Sequence, residues 1–144
     1  MPDRALPPYA ILVADDQVDF AEGLARLIAK GFPRNPVLAA RSGEEALGLL
    51  GERPCALLLT DLRMPGMDGF TLLSAALARD PALAVVVLTG FGSIEAAVAA
   101  LKSGAYDFLA KPIDQDVLYR VVAKGLELSA LKREIGRASC RERV

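Results

Sequence analysis

Residues 9–16 read YAILVADD, an apolar run of strand length that ends in two carboxylates. The run is continuous rather than alternating in polarity, as in a parallel strand covered by helices on both faces. Four similar runs follow, at Pro36–Ala40, Ala56–Thr60, Leu83–Leu88 and Tyr106–Leu109, with amphipathic segments between them. Phe20, Leu24, Leu27 and Ile28 share one face of a helix over Val18–Lys30, which Gly31 and Pro33 stop. Ser42 and Glu45 form a capping box for a second helix ending near Gly51. Asp68 caps a third, running through Leu72, Leu73 and Leu77 to the break at Asp80 and Pro81. Ser93 caps a fourth, with Ile94, Ala97, Val98 and Leu101 expected inward and Gly104 closing it; Asp114 opens the fifth. This alternation predicts an α/β fold, a doubly wound five-stranded parallel sheet with functional groups at the carboxyl ends of the strands.

Composition narrows the chemistry. The 144 residues make one domain the expectation, and 53% apolar with 24% charged residues excludes a disordered chain. A net charge of −1 gives no general attraction to nucleic acid or anionic lipid. The chain contains no His, so His-based triads, general bases and metal sites are excluded. Its two cysteines, Cys55 in an apolar run and Cys140 near the end, form neither a disulfide framework nor a metal-ligand spacing; a reduced, buried Cys55 is expected. No apolar run has the length of a membrane span and no cleavable leader is evident, which reads as a cytoplasmic protein.

The first strand ends Ala14-Asp15-Asp16 and the third Thr60-Asp61. If these strands are neighbours, three carboxylates meet at one edge, where mutual repulsion calls for a cation. A hard divalent ion such as Mg²⁺ suits oxygen ligands of this kind. Taken singly, each acidic residue reads equally well as a helix cap; three together do not. The fourth strand brings Thr89 to the same edge and the fifth brings Lys111 and Pro112. Alone, Thr89 is a strand-end residue and Lys111 a solvated loop lysine, but with the acids they supply what phosphoryl transfer needs. Pro112, following a lysine in a tight turn, is a candidate for a cis bond.

The segments VADD (13–16), TDLRMPGMDG (60–69), LTG (88–90) and KP (111–112) together resemble the receiver domain of bacterial two-component response regulators, over about residues 8–130. The resemblance implies a flavodoxin-like (βα)5 fold with strand order 2-1-3-4-5. It implies Asp61 as phosphoacceptor, Asp16 as direct Mg²⁺ ligand, Asp15 as a ligand through water, and Arg63 as a ligand through its backbone carbonyl. Mn²⁺ is the expected substitute metal. Thr89 and Lys111 would contact the phosphoryl group, Pro65 and Gly66 would shape the loop, and Phe108 would occupy the switch-aromatic position, although it also reads as a core aromatic. The implied reaction is attack by Asp61 on a phosphohistidine of a sensor histidine kinase, switching an output face formed by the fourth helix, fifth strand and fifth helix. The domain would be a signalling phosphoacceptor that assists its own phosphorylation and dephosphorylation, not an enzyme in the usual sense.

Three rival readings fare worse. A haloacid dehalogenase-type phosphatase needs a second Asp two residues after the nucleophile, where this chain has Arg63. A phosphorylation-independent docking module does not need the complete acidic, Thr and Lys set. A flavodoxin-like cofactor domain needs a phosphate loop after the first strand, which is absent. The segment from Leu88 to Ile113 further resembles receivers attached to AAA+ activators of sigma-54 transcription, implying a C-terminal output domain beyond this chain and no direct nucleic-acid contact by the receiver itself. In the last helix Val121, Leu128, Leu131 and Ile135, with Lys124 in one slot, fit either the first turns of a dimerising coiled coil, making a second copy of the chain a candidate partner, or a helix whose early part packs on the sheet and whose later part frays. Residues 131–144 are expected to be the start of a linker helix followed by a non-native tail. Residues 134–144, EIGRASCRERV, back-translate into a common sequencing adapter, so the native part of this chain is expected to end near Arg133 or Glu134, the natural protein continuing into a segment not present here, which leaves Cys140 without a function.

Overall fold

The computed structural model describes residues 8–90 and 94–142, and side-chain surroundings as far as residue 135. The elements are β1 (Ala10–Ala14), α1 (Val18–Gly31), β2 (Val37–Ala40), α2 (Gly43–Glu52), β3 (Cys55–Asp61), α3 (Gly69–Arg79), β4 (Ala84–Thr89), α4 (Ile94–Lys102), β5 (Asp107–Ala110) and α5 (Gln115–Glu142). The strands form one parallel sheet in the order β2-β1-β3-β4-β5, as the resemblance implies.

The two-residue period of a strand sorts the continuous apolar runs onto two cores. Leu12, Leu58, Val85 and Val87 face one side, against Ala46 of α2, Leu72, Leu73 and Ala76 of α3 and Ala100 of α4. Ile11, Val13, Leu57, Leu59, Val86 and Leu88 face the other, against Leu24 and Ile28 of α1 and Leu118 and Val122 of α5. Both faces of the three central strands β1, β3 and β4 are therefore dry, which is why they tolerate so few polar residues before their ends. Cys55 is buried as a free thiol, and burial, partly offset by Arg53, pushes its pKa up. Among the described residues no helix is long and apolar enough to cross a membrane.

Caps set where the helices start. Glu45 N–H donates to Ser42 Oγ at 3.1 Å, while the returning Glu45 carboxylate accepts from Arg41 N–H at 2.7 Å, one residue before the usual position of that arm. Asp68 Oδ1 accepts from Thr71 N–H at 2.9 Å and Asp114 Oδ1 from Asp116 N–H at 2.8 Å. The C-terminus of α4 closes on Gly104, whose φ of +117° lets Ala105 N–H return to the Ala100 carbonyl. Ser93 and the side chain of Cys140 lie outside the described residues.

The inward face of α4 differs from the expectation. Ala97 and Ala100 are buried, whereas Ile94, Val98 and Leu101 are 73%, 43% and 38% exposed. The cause is local: α4 covers β4 and the short edge strand β5, where alanines allow close approach and leave the branched side chains on the helix flank.

Candidate functional site

Strand register brings the site together. Ala14 lies opposite Thr60 across the β1–β3 pair, so Asp15 and Asp61 emerge level with each other at the carboxyl edge. Asp61 is opposite Leu88, placing Thr89 one step beyond it on β4. Thr89 is opposite Ala110, and its carbonyl accepts Lys111 N–H at 2.8 Å, which fixes the base of the lysine. Asp61, Arg63, Thr89, Gly90 and Lys111 line one open cleft of about 390 Å³.

The carboxylates of Asp15, Asp16 and Asp61 each present an oxygen within 4.8 Å of the others. Asp15 is fully buried and Asp16 exposed, with Asp61 between these extremes. Asp15 Oδ1 accepts Gln17 N–H at 3.0 Å, and its Oδ2 accepts Lys111 Nζ at 2.9 Å. Lys111 Nζ is farther, 3.6 Å, from Asp61 Oδ2. Burial foremost, then the charge of Asp15, raises the Asp61 pKa above the ordinary carboxylate range, against the pull of Lys111 and of the Arg63 and Leu62 N–H groups. One ammonium against three carboxylates leaves a surplus of negative charge in a partly buried site. The donor set is all oxygen and the spacing is small, so the residues fit a hard divalent cation.

The loop after β3 is held by two glycines. Gly66 has φ +77°, a conformation that L side chains rarely adopt. Gly69 sits so close to the Asp61 carbonyl and Leu62 Cα that a Cβ there would collide with backbone. Its N–H donates to the Leu62 carbonyl at 3.1 Å, folding the start of α3 back onto the end of β3. Pro65 is exposed in this loop, and the Lys111–Pro112 bond is cis. Phe108 lies on β5 opposite Val87, 37% exposed, whereas Tyr106 is partly buried with its hydroxyl donating to the Val121 carbonyl at 3.1 Å.

Asp15, Asp16, Asp61, Arg63, Thr89 and Lys111 therefore gather at one edge, Pro65, Gly66 and Pro112 lie in the loops that follow β3 and β5, and Phe108 stands apart on β5. Gly69 closes the TDLRMPGMDG segment, but its close approach to the end of β3 was not read from it. One further contributor went unread in the sequence. Phe20, read as part of the apolar face of α1, places its ring centroid 4.4 Å from Lys111 Nζ; no sequence pattern marks that contact.

Fold and site together define a carboxylate-centred α/β domain, and comparison with known proteins specifies which. Residues 11–123 match the model of the response regulator receiver domain, and the chain belongs to that family, the signalling domains of two-component systems. It is 42% identical over 126 residues to the transcriptional regulatory protein ZraR of Salmonella typhimurium, covering 88% of this chain and 27% of that protein. It is 39% identical over 117 residues to the response regulator protein PilR of Pseudomonas aeruginosa, covering 81% of this chain and 26% of the relative. The chain thus spans about a quarter of the length of these curated relatives. Among solved structures, NtrX from Brucella abortus in complex with ADP superposes with a TM-score of 0.82 at 36% identity, over 90% of this chain and 29% of that one. A response regulator receiver domain protein from Clostridium thermocellum superposes with a TM-score of 0.79 at 30% identity, over 85% of this chain and 98% of that one.

Proposed function

We propose that this domain accepts a phosphoryl group on Asp61 from a phosphohistidine of a sensor histidine kinase, as the receiver of a longer cytoplasmic transcriptional regulator of the AAA+ sigma-54 type. The observation that carries the reading is the convergence of Asp15, Asp16, Asp61, Thr89 and Lys111 on one open edge of the sheet. An Asp61 carboxylate oxygen attacks phosphorus, a P–O bond forms, the P–N bond breaks, and its electron pair leaves on the imidazole nitrogen. Asp15, Asp16, Asp61 and the Arg63 carbonyl would hold Mg²⁺, or Mn²⁺ in its place. Bound there, the metal supplies positive charge against the carboxylate cluster and the incoming phosphoryl oxygens.

Lys111 and Thr89 gain their best contacts only after phosphorylation, so modification favours a state with the Thr89 loop drawn inward. Phe108, partly exposed on the edge strand, has room to repack as that loop moves. The signal then passes to the surface of α4, β5 and α5, where Ile94, Val98 and Val117 are exposed. DNA contact falls to the output domain rather than to this chain. The test is intact-protein mass after incubation with acetyl phosphate and Mg²⁺. A single phosphoryl adduct that requires Mg²⁺ and disappears in Asp61→Asn is expected; no adduct, with no phosphate released, would favour a docking module that works without phosphorylation.

A further inference from the structure

Phe20 stands in the first turn of α1, on the helix that follows the Asp15–Asp16 pair, partly buried against the core shared by α1 and α5. Three groups surround the Lys111 ammonium: Asp15 Oδ2 at 2.9 Å, Asp61 Oδ2 at 3.6 Å and the Phe20 ring, 4.4 Å to its centroid. The face of a benzene ring carries negative potential, so it attracts an ammonium, and more strongly where water is partly excluded. The Lys111 side chain is only 25% exposed. A lysine has a long flexible stem, so the resting place of its charge is decided by its partners rather than by its backbone. Two of these partners, Asp15 and the ring, are groups that receive no phosphate. In the unphosphorylated protein the ammonium thus rests closer to Asp15 than to the carboxylate that would carry the phosphoryl group.

Resting on the phosphoacceptor reading above, we propose that Phe20 is a positioning residue whose ring, together with Asp15, retains the Lys111 ammonium short of Asp61 and so slows phosphoryl uptake. An aliphatic side chain in this place would fill the same space without offering the ammonium a face. If Phe20 only fills space, the electron density of its ring has no kinetic consequence, and this separates the two roles.

The experiment uses the whole 144-residue chain, with Phe20 replaced by a graded series of fluorinated phenylalanines and, separately, Phe20→Leu. In the unphosphorylated protein, the Lys111 Cε proton resonances are expected upfield of ordinary lysines because of the ring current, and Phe20→Leu removes the displacement. Phosphoryl adduct formation from acetyl phosphate and Mg²⁺ is expected to speed up steadily with fluorination, reaching roughly fivefold for the most electron-poor ring. A flat or falling series, or ordinary Lys111 resonances in the wild type, overturns the proposal. Absence of any adduct in the wild type overturns the phosphoacceptor reading and with it the kinetic role of Phe20, while displaced resonances would still establish the placement of Lys111.

Discussion

The Arg133 guanidinium grips the Asp80 carboxylate with both ends, Nη2 to Oδ2 at 2.9 Å and Nη1 to Oδ1 at 3.3 Å. Nη2 also donates to the Cys55 carbonyl at 2.9 Å, and the guanidinium lies 4.4 Å from the centre of the Tyr9 ring. One side chain on α5 thereby ties together the entry to β1, the start of β3 and the C-terminus of α3, at the end of the sheet opposite the acidic cluster. Solvent reaches Asp80, which discounts the ion pair, but the carbonyl bond and the fork geometry remain. Arg133→Met is expected to lower stability by about 1–2 kcal/mol, seen as a lower midpoint in urea with an unchanged slope. Phosphoryl uptake from acetyl phosphate should be unaffected, because Asp61 is at the other edge.

Asp61 carries its charge against its surroundings. Burial and the neighbouring Asp15 raise its pKa, so this group favours the folded state when protonated. That contribution is present below the unfolded value of about 3.9 and is lost as pH rises through the higher folded value. Without divalent metal, Asp61→Asn should therefore be more stable than the wild type at neutral pH, seen as a higher Tm. The advantage should vanish in acid, where both side chains are neutral. Mg²⁺ should narrow or reverse it by stabilising the wild type through mass action. Thermal melts at several pH values with and without Mg²⁺ check the sign; a less stable Asp61→Asn at neutral pH without metal would contradict it.

The strand ends were legible in the sequence because they follow from short-range rules, whereas the meeting of their acidic residues rested on the strand order that the receiver motifs imply. A parallel strand covered on two faces is a continuous apolar run, and a polar residue at its end marks the sheet edge. The α4 face was not legible: IEAAVAALK is apolar nearly all round, so several stripes compete and only the close approach to β4 and β5 selects the alanines. The Arg133–Asp80 fork joins residues 53 positions apart, and the Phe20–Lys111 contact joins the first helix to the end of the last strand. Such pairings depend on how elements are laid side by side, which periodicity does not encode. The receiver motifs mark residue types at the edge, but not which of two carboxylates Lys111 sits closer to.

Gly69 makes the loop after β3 testable by a single methyl group. A Cβ there meets the Asp61 carbonyl and Leu62 Cα, both backbone atoms that cannot swing aside. Gly69→Ala must push α3 away from the end of β3, moving the loop from Arg63 to Asp68. A loss of about 2–3 kcal/mol is expected by analogy with overpacked cores. Uptake of phosphate at temperatures where the variant is still folded should also fall, because the cleft wall containing Arg63 has moved. Gly66→Ala is expected to cost less, since strain at its positive φ affects one turn without driving backbone into backbone.

Removing the lysine tests how far the cluster depends on its own cation. Lys111→Met keeps an apolar stem but leaves Asp15, which has no exposure to solvent, with the Gln17 N–H as its remaining hydrogen-bond donor. An unpaired buried carboxylate is costly, so without divalent metal this variant should lose about 2–4 kcal/mol. Asp15→Asn removes the charge that needed compensation, and the double variant should lose much less than the sum of the two single changes. A coupling near zero in a urea double-mutant cycle would mean that the 2.9 Å contact contributes nothing to stability. Mg²⁺ should restore more stability to Lys111→Met than to the double variant, since only the former keeps all three carboxylates.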